Sequence, residues 1–199
     1  MLFVELYLLT LLAAMLVVGF VSSLNKGRAA VCGIILMSVI SSIPAVGALM
    51  GQTFSLDFAG STITGRQAIA VDPLSAWFML IISLTMITSA IYGQQYLKAY
   101  LDRRSALSLH WICYLLVHAG LMAVCVMRNS IGFLIAWELM AMGAFFLVIF
   151  EGEKTRTIRA GVNYLVQSHV AILLLTIAFV WVAAVSGTFS FDGFAQFVA

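Results

Sequence analysis

The sequence predicts an all-α fold, a polytopic membrane helix bundle of about six transmembrane helices with the N-terminus outside the cytoplasm. Of the 199 residues, 63% are hydrophobic and only 9% are charged, whereas soluble domains carry about 25% charged residues. Six apolar segments are each long enough to cross the hydrocarbon core, which takes about 20 residues. Basic residues concentrate in alternate connections between these segments, and this asymmetry predicts the orientation.

The six apolar segments are predicted near residues 3–24, 29–50, 74–97, 106–127, 130–150 and 160–185. Each must be a helix, because an open strand in lipid would leave its backbone groups unpaired. The first segment is longer than the core of a signal peptide and carries Glu5 where a basic n-region would stand, so we expect an uncleaved span. Residues 1–50 then form the first two helices, and residues 74–185 form the third to the sixth.

Residues 51–73 form the one sizeable connection, which we expect outside the cytoplasm. Its segments TFSLDF and TITGRQAIAV partly alternate apolar with polar residues and are separated by Ala-Gly-Ser, a pattern that favours a small β-hairpin. Asp72 and Pro73 open the third span, since proline suits the first helical position and Asp72 can cap the amides that follow. Residues 186–199 are predicted to form an extracytoplasmic tail.

Eight basic residues occur in the connections between spans one and two, three and four, and five and six: Lys26, Arg28, Lys98, Arg103, Arg104, Lys154, Arg156 and Arg159. Arg66 and Arg128 fall on the opposite side. The positive-inside rule places those three connections in the cytoplasm and both chain ends outside it. A net charge of +2, dispersed along the chain, does not fit a nucleic-acid interface, so the expected surroundings are the lipid bilayer.

No cofactor is predicted. The three cysteines occur at unrelated spacings, and no cluster of cysteine, histidine and carboxylate indicates a metal ion, an iron–sulfur centre or a haem. The sequence also contains no nucleophile with a base, no phosphate-binding glycine loop and no nucleotide fingerprint. An independent enzyme is therefore the least favoured class of function.

A carboxylic acid interrupts the apolar segment LIAWELMAMGAFF of the fifth span. Glu138 is expected about 12 Å from the outer end of this helix at 1.5 Å per residue. An ionisable residue at that depth costs on the order of 3 kcal/mol and usually marks an ion or proton pathway. The alternative is a protonated Glu138 that hydrogen-bonds a neighbouring helix, a tie that contributes below about 1 kcal/mol on average. Because serine or asparagine could tie helices without titrating, the pattern favours a role in proton translocation.

His169 in the sixth span is the candidate partner of Glu138. It lies about 14 Å from the inner end of its span and Glu138 about 18 Å from the inner end of the fifth, which predicts similar depths. Imidazole titrates near physiological pH, so His169 is a possible proton relay, and a hydrogen-bonded packing residue is an equally open interpretation. For His118 in the fourth span, packing is the favoured interpretation. His110 lies near a membrane boundary and is expected to face water.

Three segments, in this order, resemble consecutive spans of one family: VDPLSAWFMLIISLTMITSAIYGQQYL (71–97), NSIGFLIAWELMAMGAFFLVIF (129–150) and KTRTIRAGVNYLVQSHVAILLLTIAF (154–179). The family comprises the proton-conducting, antiporter-like membrane subunits of NADH–quinone oxidoreductase, Mrp-type cation/proton antiporters and energy-converting hydrogenases. The hydrogenase-4 component B type is the most similar in character. The resemblance covers residues 70–197. For residues 1–69 it extends only to the arrangement of the spans and their connections.

The resemblance implies that Glu138 is the family's fifth-span glutamate, which takes part in proton translocation. Its usual partner is a lysine on a seventh span, which this sequence does not reach, and Asn163 stands where many members have another lysine. We therefore expect the sequence to be the N-terminal portion of a longer subunit. The resemblance further implies a multi-pass protein of the cytoplasmic (inner) membrane whose partners are other membrane and peripheral subunits of a redox complex, with no redox centre in this chain.

The leading hypothesis is a proton-translocating subunit of a respiratory NADH–quinone oxidoreductase-like or hydrogenase-4-like complex, which couples redox chemistry in partner subunits to proton transfer through Glu138. One alternative is a Mrp-type cation/proton antiporter subunit, which shares these residues but has no redox partners. A second alternative, from a different class, is a non-catalytic membrane scaffold in which Glu138 only ties two helices together.

Overall fold

A computed structural model describes residues 1–60, 67–191 and 193–194 of the chain. Six helices within these ranges are long and apolar enough to cross a membrane, which confirms the predicted polytopic helix bundle. Arg66, which entered the topology prediction, lies outside the described residues, as do positions 192 and 195–199 of the predicted tail. In chain order the elements are α1 (Leu2–Phe20), α2 (Ser23–Leu49), β1 (Phe54–Phe58), β2 (Gln67–Val71), α3 (Pro73–Tyr96), a 3-10 turn (Leu97–Tyr100), α4 (Arg104–Val126), α5 (Ser130–Val148), a second 3-10 turn (Ile149–Glu151) and α6 (Thr155–Ser186).

Polar contacts gather the connections after α1, α3 and α5 at one end of the bundle, here called the basic end. The Arg104 guanidinium donates to the Phe20 carbonyl at 3.3 Å, and Arg103 pairs with Glu153 at 3.0 Å. The opposite end, here called the hairpin end, carries the two strands. The basic side chains of these three connections therefore lie at the end of the bundle opposite the hairpin, as the sequence pattern predicts.

The main hydrophobic core lies among α1, α2, α3 and α4. Its buried side chains include Val18, Ala30, Ile34, Met37, Ala90, Trp111 and Leu115. α5 packs along α4, and α6 packs along α5. Gly161 and Val182 are the buried residues of α6, so this helix lies at the edge of the described bundle and most of its apolar side chains point outward.

The hairpin packs onto the ends of the helices. β1 and β2 pair antiparallel from Phe54 opposite Val71 to Phe58 opposite Gln67. The backbone after α4 adds to this small sheet, because the Arg128 amide donates to the Ala68 carbonyl at 2.9 Å. Both strands lie within the two segments whose alternating pattern favours a hairpin.

Asp72 joins the hairpin to the start of α3. Its Oδ1 accepts a 2.6 Å hydrogen bond from the Ser75 amide with Pro73 at the first helical position, so the predicted cap is confirmed. Its Oδ2 binds the guanidinium of Arg128. Burial alone would raise the pKa of Asp72, but the Ser75 amide and the Arg128 guanidinium together lower this pKa to about 2.

Lys26 lies inside α2 and not in a connection between the first two spans, where the charge pattern places it. Only Val21 and Ser22 separate α1 from α2, and the Lys26 side chain is fully buried. Its ammonium donates to the Val18 carbonyl at 2.7 Å and to the Gly19 carbonyl at 3.4 Å. The last carbonyls of a helix have no intrahelical partner, and a cation there also suits the helix dipole. This lysine therefore caps the end of α1.

Candidate functional site

The start of α5 is fixed by hydrogen bonds at the hairpin end. The side-chain oxygen of Asn129 accepts from the amides of Ile131 at 2.9 Å and Gly132 at 3.3 Å. The Ser130 amide and hydroxyl both donate to the Phe189 carbonyl, at 2.9 and 3.0 Å. With the helix start held in this way, Glu138 lies about 12 Å into α5.

Close packing against α4 sets which way α5 faces. A Cβ on Gly120 would lie 2.8 Å from the Met140 Cβ, and a Cβ on Gly143 would lie 2.8 Å from a methyl carbon of Val117. Glycine at these two positions lets the helix backbones approach closely. Glu138 precedes Met140 by two positions, about 200° around the helix. Its side chain therefore leaves α5 on the side away from Gly120, toward α6.

The structure brings the two predicted site residues together. Glu138 Oε1 lies 2.9 Å from His169 Nε2. The other ring nitrogen, Nδ1, lies 2.9 Å from the Leu165 carbonyl one turn earlier on α6. A carbonyl can only accept a hydrogen bond, so Nδ1 must carry a proton. When the imidazole is neutral, Nε2 is then an acceptor, and a hydrogen bond to Oε1 requires a proton on the carboxyl group.

The pair lies at the edge of the described bundle, not in its interior. The exposed fraction of the side chain is 37% for Glu138 and 43% for His169. Glu138 Oε2 is nevertheless inaccessible and has no hydrogen-bond partner among the described residues. The two carboxyl oxygens thus differ, because Oε1 is bonded to the imidazole while Oε2 is left with unused hydrogen-bonding capacity. An unsatisfied polar atom at this depth costs free energy, which makes Oε2 a position where a proton or a polar partner would be favoured.

The other two histidines differ from this pair. His118 is fully buried, with Nδ1 2.9 Å from the Tyr7 hydroxyl and Nε2 3.3 Å from the Ser38 hydroxyl. These bonds tie α4 to α1 and α2, in keeping with the packing interpretation. His110, which was expected to face water, is half-buried and lines a cavity at the basic end. Its ring packs edge-on against Phe150 of the 3-10 turn after α5 at a centroid distance of 5.0 Å, and its Nδ1 is buried.

Asn163 and Gln167 of α6 are both exposed and lie one turn apart, on the same face of the helix as their spacing indicates. The structure does not bring either residue to Glu138. The Leu165 carbonyl is the contributor to the site that sequence reasoning missed. The sequence signals this contact only through the i, i+4 spacing between Leu165 and His169. Residues within a helix generally have a backbone carbonyl at this spacing, so the signal does not single out His169.

Comparison with known proteins matches residues 127–198 to the family model described as NADH:quinone oxidoreductase/Mrp antiporter, TM. Hydrogenase-4 component B of Escherichia coli is 30% identical over 145 residues, which cover 68% of this chain and 21% of that protein. NADH-quinone oxidoreductase subunit N of Acinetobacter baumannii is 24% identical over 140 residues, or 70% of this chain and 27% of the relative. NADH-quinone oxidoreductase subunit N of Rubrobacter xylanophilus is 25% identical over 163 residues, which cover 82% of this chain and 32% of that protein.

This chain thus spans from 21% to 32% of the length of these three relatives. The family match takes in α5 and α6, the two helices that carry Glu138 and His169. With six apolar helices in the described residues and these relatives, the chain belongs to the family of antiporter-like membrane subunits found in NADH–quinone oxidoreductase, Mrp antiporters and hydrogenase-4.

Proposed function

We propose that this chain is part of a proton-translocating membrane subunit of an NADH–quinone oxidoreductase-like or hydrogenase-4-like complex, and that Glu138 and His169 carry the proton. The observation that supports the proposal is the 2.9 Å contact between Glu138 Oε1 and His169 Nε2. Two titratable groups share one proton at a depth where either charge alone would be costly. The names of the relatives support the type of complex.

The pair has two arrangements of equal net charge. In one, protonated Glu138 donates to neutral His169, and in the other a carboxylate accepts from imidazolium. Adding a proton leaves a cation on the imidazole, and removing one leaves an anion on the carboxylate. In a medium of low dielectric a modest change in the surrounding field shifts the balance between these states. A redox or conformational change in partner subunits would move the proton in this way.

The proposed setting is the cytoplasmic membrane, with the basic end of the bundle in the cytoplasm and the hairpin end outside. Lys26 apart, the seven other basic side chains near the basic end support this orientation through the positive-inside rule. The proposed partners are further membrane and peripheral subunits, which hold the redox centres. The lateral exposure of Glu138 and His169 supports a further polar or protein surface at this edge, because lipid would not solvate the pair.

The test is Glu138→Gln in the complete complex, reconstituted into vesicles. Glutamine keeps the shape and most of the hydrogen bonding but cannot titrate. Redox-driven proton uptake should fall by about 100-fold, within the usual contribution of a proton-transfer group, while the complex still assembles. Glu153→Gln, the same change on a side chain 76% exposed at the basic end, is the matched control and should pump normally. Unchanged pumping by Glu138→Gln would instead support the non-catalytic scaffold.

A Mrp-type cation/proton antiporter subunit is the second candidate, because the description of the matching family names both kinds of protein. It would use the same pair without redox partners. A sodium or potassium gradient imposed across the vesicles separates the two. Proton movement driven by that gradient without an electron donor would favour the antiporter, and movement that requires an electron donor would favour the redox complex.

A further inference from the structure

A cavity of about 370 Å³ opens at the basic end of the bundle. The ends of α3, α4, α5 and α6 surround it, and it is separate from the Glu138–His169 pair. Its aromatic and polar lining consists of Tyr96, Tyr100, His110, Phe150, Glu151 and Thr157. No step of the proposed proton transfer uses these residues, so the cavity needs an explanation of its own.

One wall of the cavity is a continuous series of aromatic rings. The centroid distances are 6.2 Å from Tyr96 to Tyr100, 5.3 Å from Tyr100 to Phe150 and 5.0 Å from Phe150 to His110. Consecutive rings pack tilted or edge-on. Faces of Tyr and Phe rings attract organic cations, and aromatic cages bind ammonium groups in this way.

The Glu151 carboxylate is the anionic group in the lining of the cavity. The Glu151 carboxylate accepts from the Tyr100 hydroxyl at 2.8 Å and from the Lys154 ammonium at 2.6 Å. A carboxylate offers about four lone-pair positions, so it can accept further bonds. A carboxylate beside aromatic rings fits a ligand that carries a positive charge and N–H donors.

Charges of both signs lie near the rim of the cavity. Lys154 pairs with Glu151, and the Arg103 guanidinium, whose carbon lies 5.9 Å from the centroid of the Tyr100 ring, pairs with Glu153. Each cation therefore lies beside a carboxylate. This arrangement suits a molecule with a negative group next to its ammonium, which is the charge distribution of a zwitterionic phospholipid headgroup.

The position of the cavity also suits a lipid. It lies where the spans meet the basic connections, at the level of a membrane interface. Tyr96 and Val148 line it and remain 57% and 41% exposed, so the cavity is open sideways toward the bilayer. Acyl chains could leave along this side while the headgroup stays between the helices.

We propose that this cavity binds the headgroup of an amine-bearing phospholipid. The ammonium lies among Glu151, His110 and the aromatic wall, and the phosphate lies at Lys154 and Arg103. The site does not depend on the proton-transfer role of Glu138, and its occupant holds together the connections that follow α3 and α5.

The test uses a phosphatidylethanolamine probe with a diazirine on its acyl chain close to the glycerol, added to vesicles that contain the complete complex. After illumination, peptide mass spectrometry locates the label. We expect labelling around Tyr96 and Val148 that unlabelled phosphatidylethanolamine removes and phosphatidylglycerol does not. Equal removal by both lipids would overturn the proposal. Removal by glycerophosphoethanolamine in water as effectively as by the lipid would assign the cavity to a soluble amine and would also overturn it.

Variants sharpen the test, with labelling measured per assembled complex. Glu151→Gln should lower labelling about tenfold, because it removes the charge that accepts from the ammonium. Phe150→Leu keeps the cavity apolar but removes a ring and should lower labelling about threefold. Glu5→Gln, the same change on an exposed residue at the hairpin end of the bundle, should label like the unmodified chain. Undiminished labelling of both Glu151→Gln and Phe150→Leu would rule out this headgroup site.

Discussion

Gly120 of α4 and Met140 of α5 lie so close that a Cβ on the glycine would be 2.8 Å from the methionine Cβ and 3.1 Å from its backbone Cα and nitrogen. Backbone atoms cannot turn aside as the end of a flexible side chain can. This contact therefore fixes the rotation of α5 against α4, and with it the direction in which Glu138 leaves the helix.

Gly120→Ala should separate α4 from α5 and cost about 1–3 kcal/mol of the free energy of unfolding, the usual range for overpacking. Unfolding in mixed detergent micelles measures this cost. Gly19→Ala is the matched control, since apart from the adjoining backbone of its own helix no described atom lies within 4 Å of a Cβ there, and it should not lower stability. Equal stability of the two variants would contradict the close packing of these helices.

Asp72 supports two contacts that substitutions can separate. Asp72→Asn keeps a capping oxygen for the Ser75 amide but loses the charge opposite Arg128, and should cost less than about 1 kcal/mol, since exposed ion pairs contribute little. Asp72→Ala loses the cap as well and should lower the free energy of unfolding by a further amount of about 0.5–2 kcal/mol. Thermal unfolding in detergent measures both, and a larger loss for the asparagine variant would contradict this assignment.

The pH dependence of stability follows from the same carboxyl. The pKa of Asp72 is about 2 in the folded chain against an ordinary value of 3.8. Because the folded-state pKa is the lower one, the stabilisation is present above pH 3.8 and is lost as the pH falls toward 2. Asp72→Asn should lack this part of the acid dependence. An identical acid profile for the variant and the unmodified chain would show that Asp72 does not contribute it.

His118 should act as a structural tie and not as a second proton carrier. His118→Leu leaves the hydroxyls of Tyr7 and Ser38 without their ring partner and should cost about 1–3 kcal/mol. Adding Tyr7→Phe removes one of these unpaired hydroxyls and should recover part of the loss. Proton pumping per assembled complex should be unchanged in His118→Leu. A selective loss of pumping with normal assembly would contradict the packing interpretation.

Much of the fold could be predicted because hydrocarbon permits few solutions. An apolar segment of sufficient length must be a helix, and the spans at 74–97 and 130–150 agree with α3 and α5 to within a few residues. Short connections force neighbouring helices to run antiparallel. The similar depth of Glu138 and His169 followed from counting residues, and the structure places their polar atoms in contact.

Other features depended on contacts between distant segments, which no local pattern encodes. Lys26 appeared to be a topology signal, but its ammonium binds carbonyls at the end of the preceding helix. His110 lies close enough to a span end to predict exposure, and contact with Phe150 of the 3-10 turn after α5 leaves it half-buried. The Tyr7 hydroxyl meets His118 across 111 positions of sequence. Periodicity identifies a helix face, but the side chain opposite it depends on packing.

Infrared difference spectroscopy of the complete complex tests the central claim most directly, because the C=O stretching band of a protonated carboxyl reports the state of Glu138 itself. The spectrum would be recorded from mildly acidic to alkaline pH and during turnover, and Glu138→Gln would identify the band by its disappearance. We predict that the Glu138 band gains and loses intensity with pH and again during turnover. A Glu138 band of constant intensity in both experiments, in a complex that still pumps protons, would contradict the account.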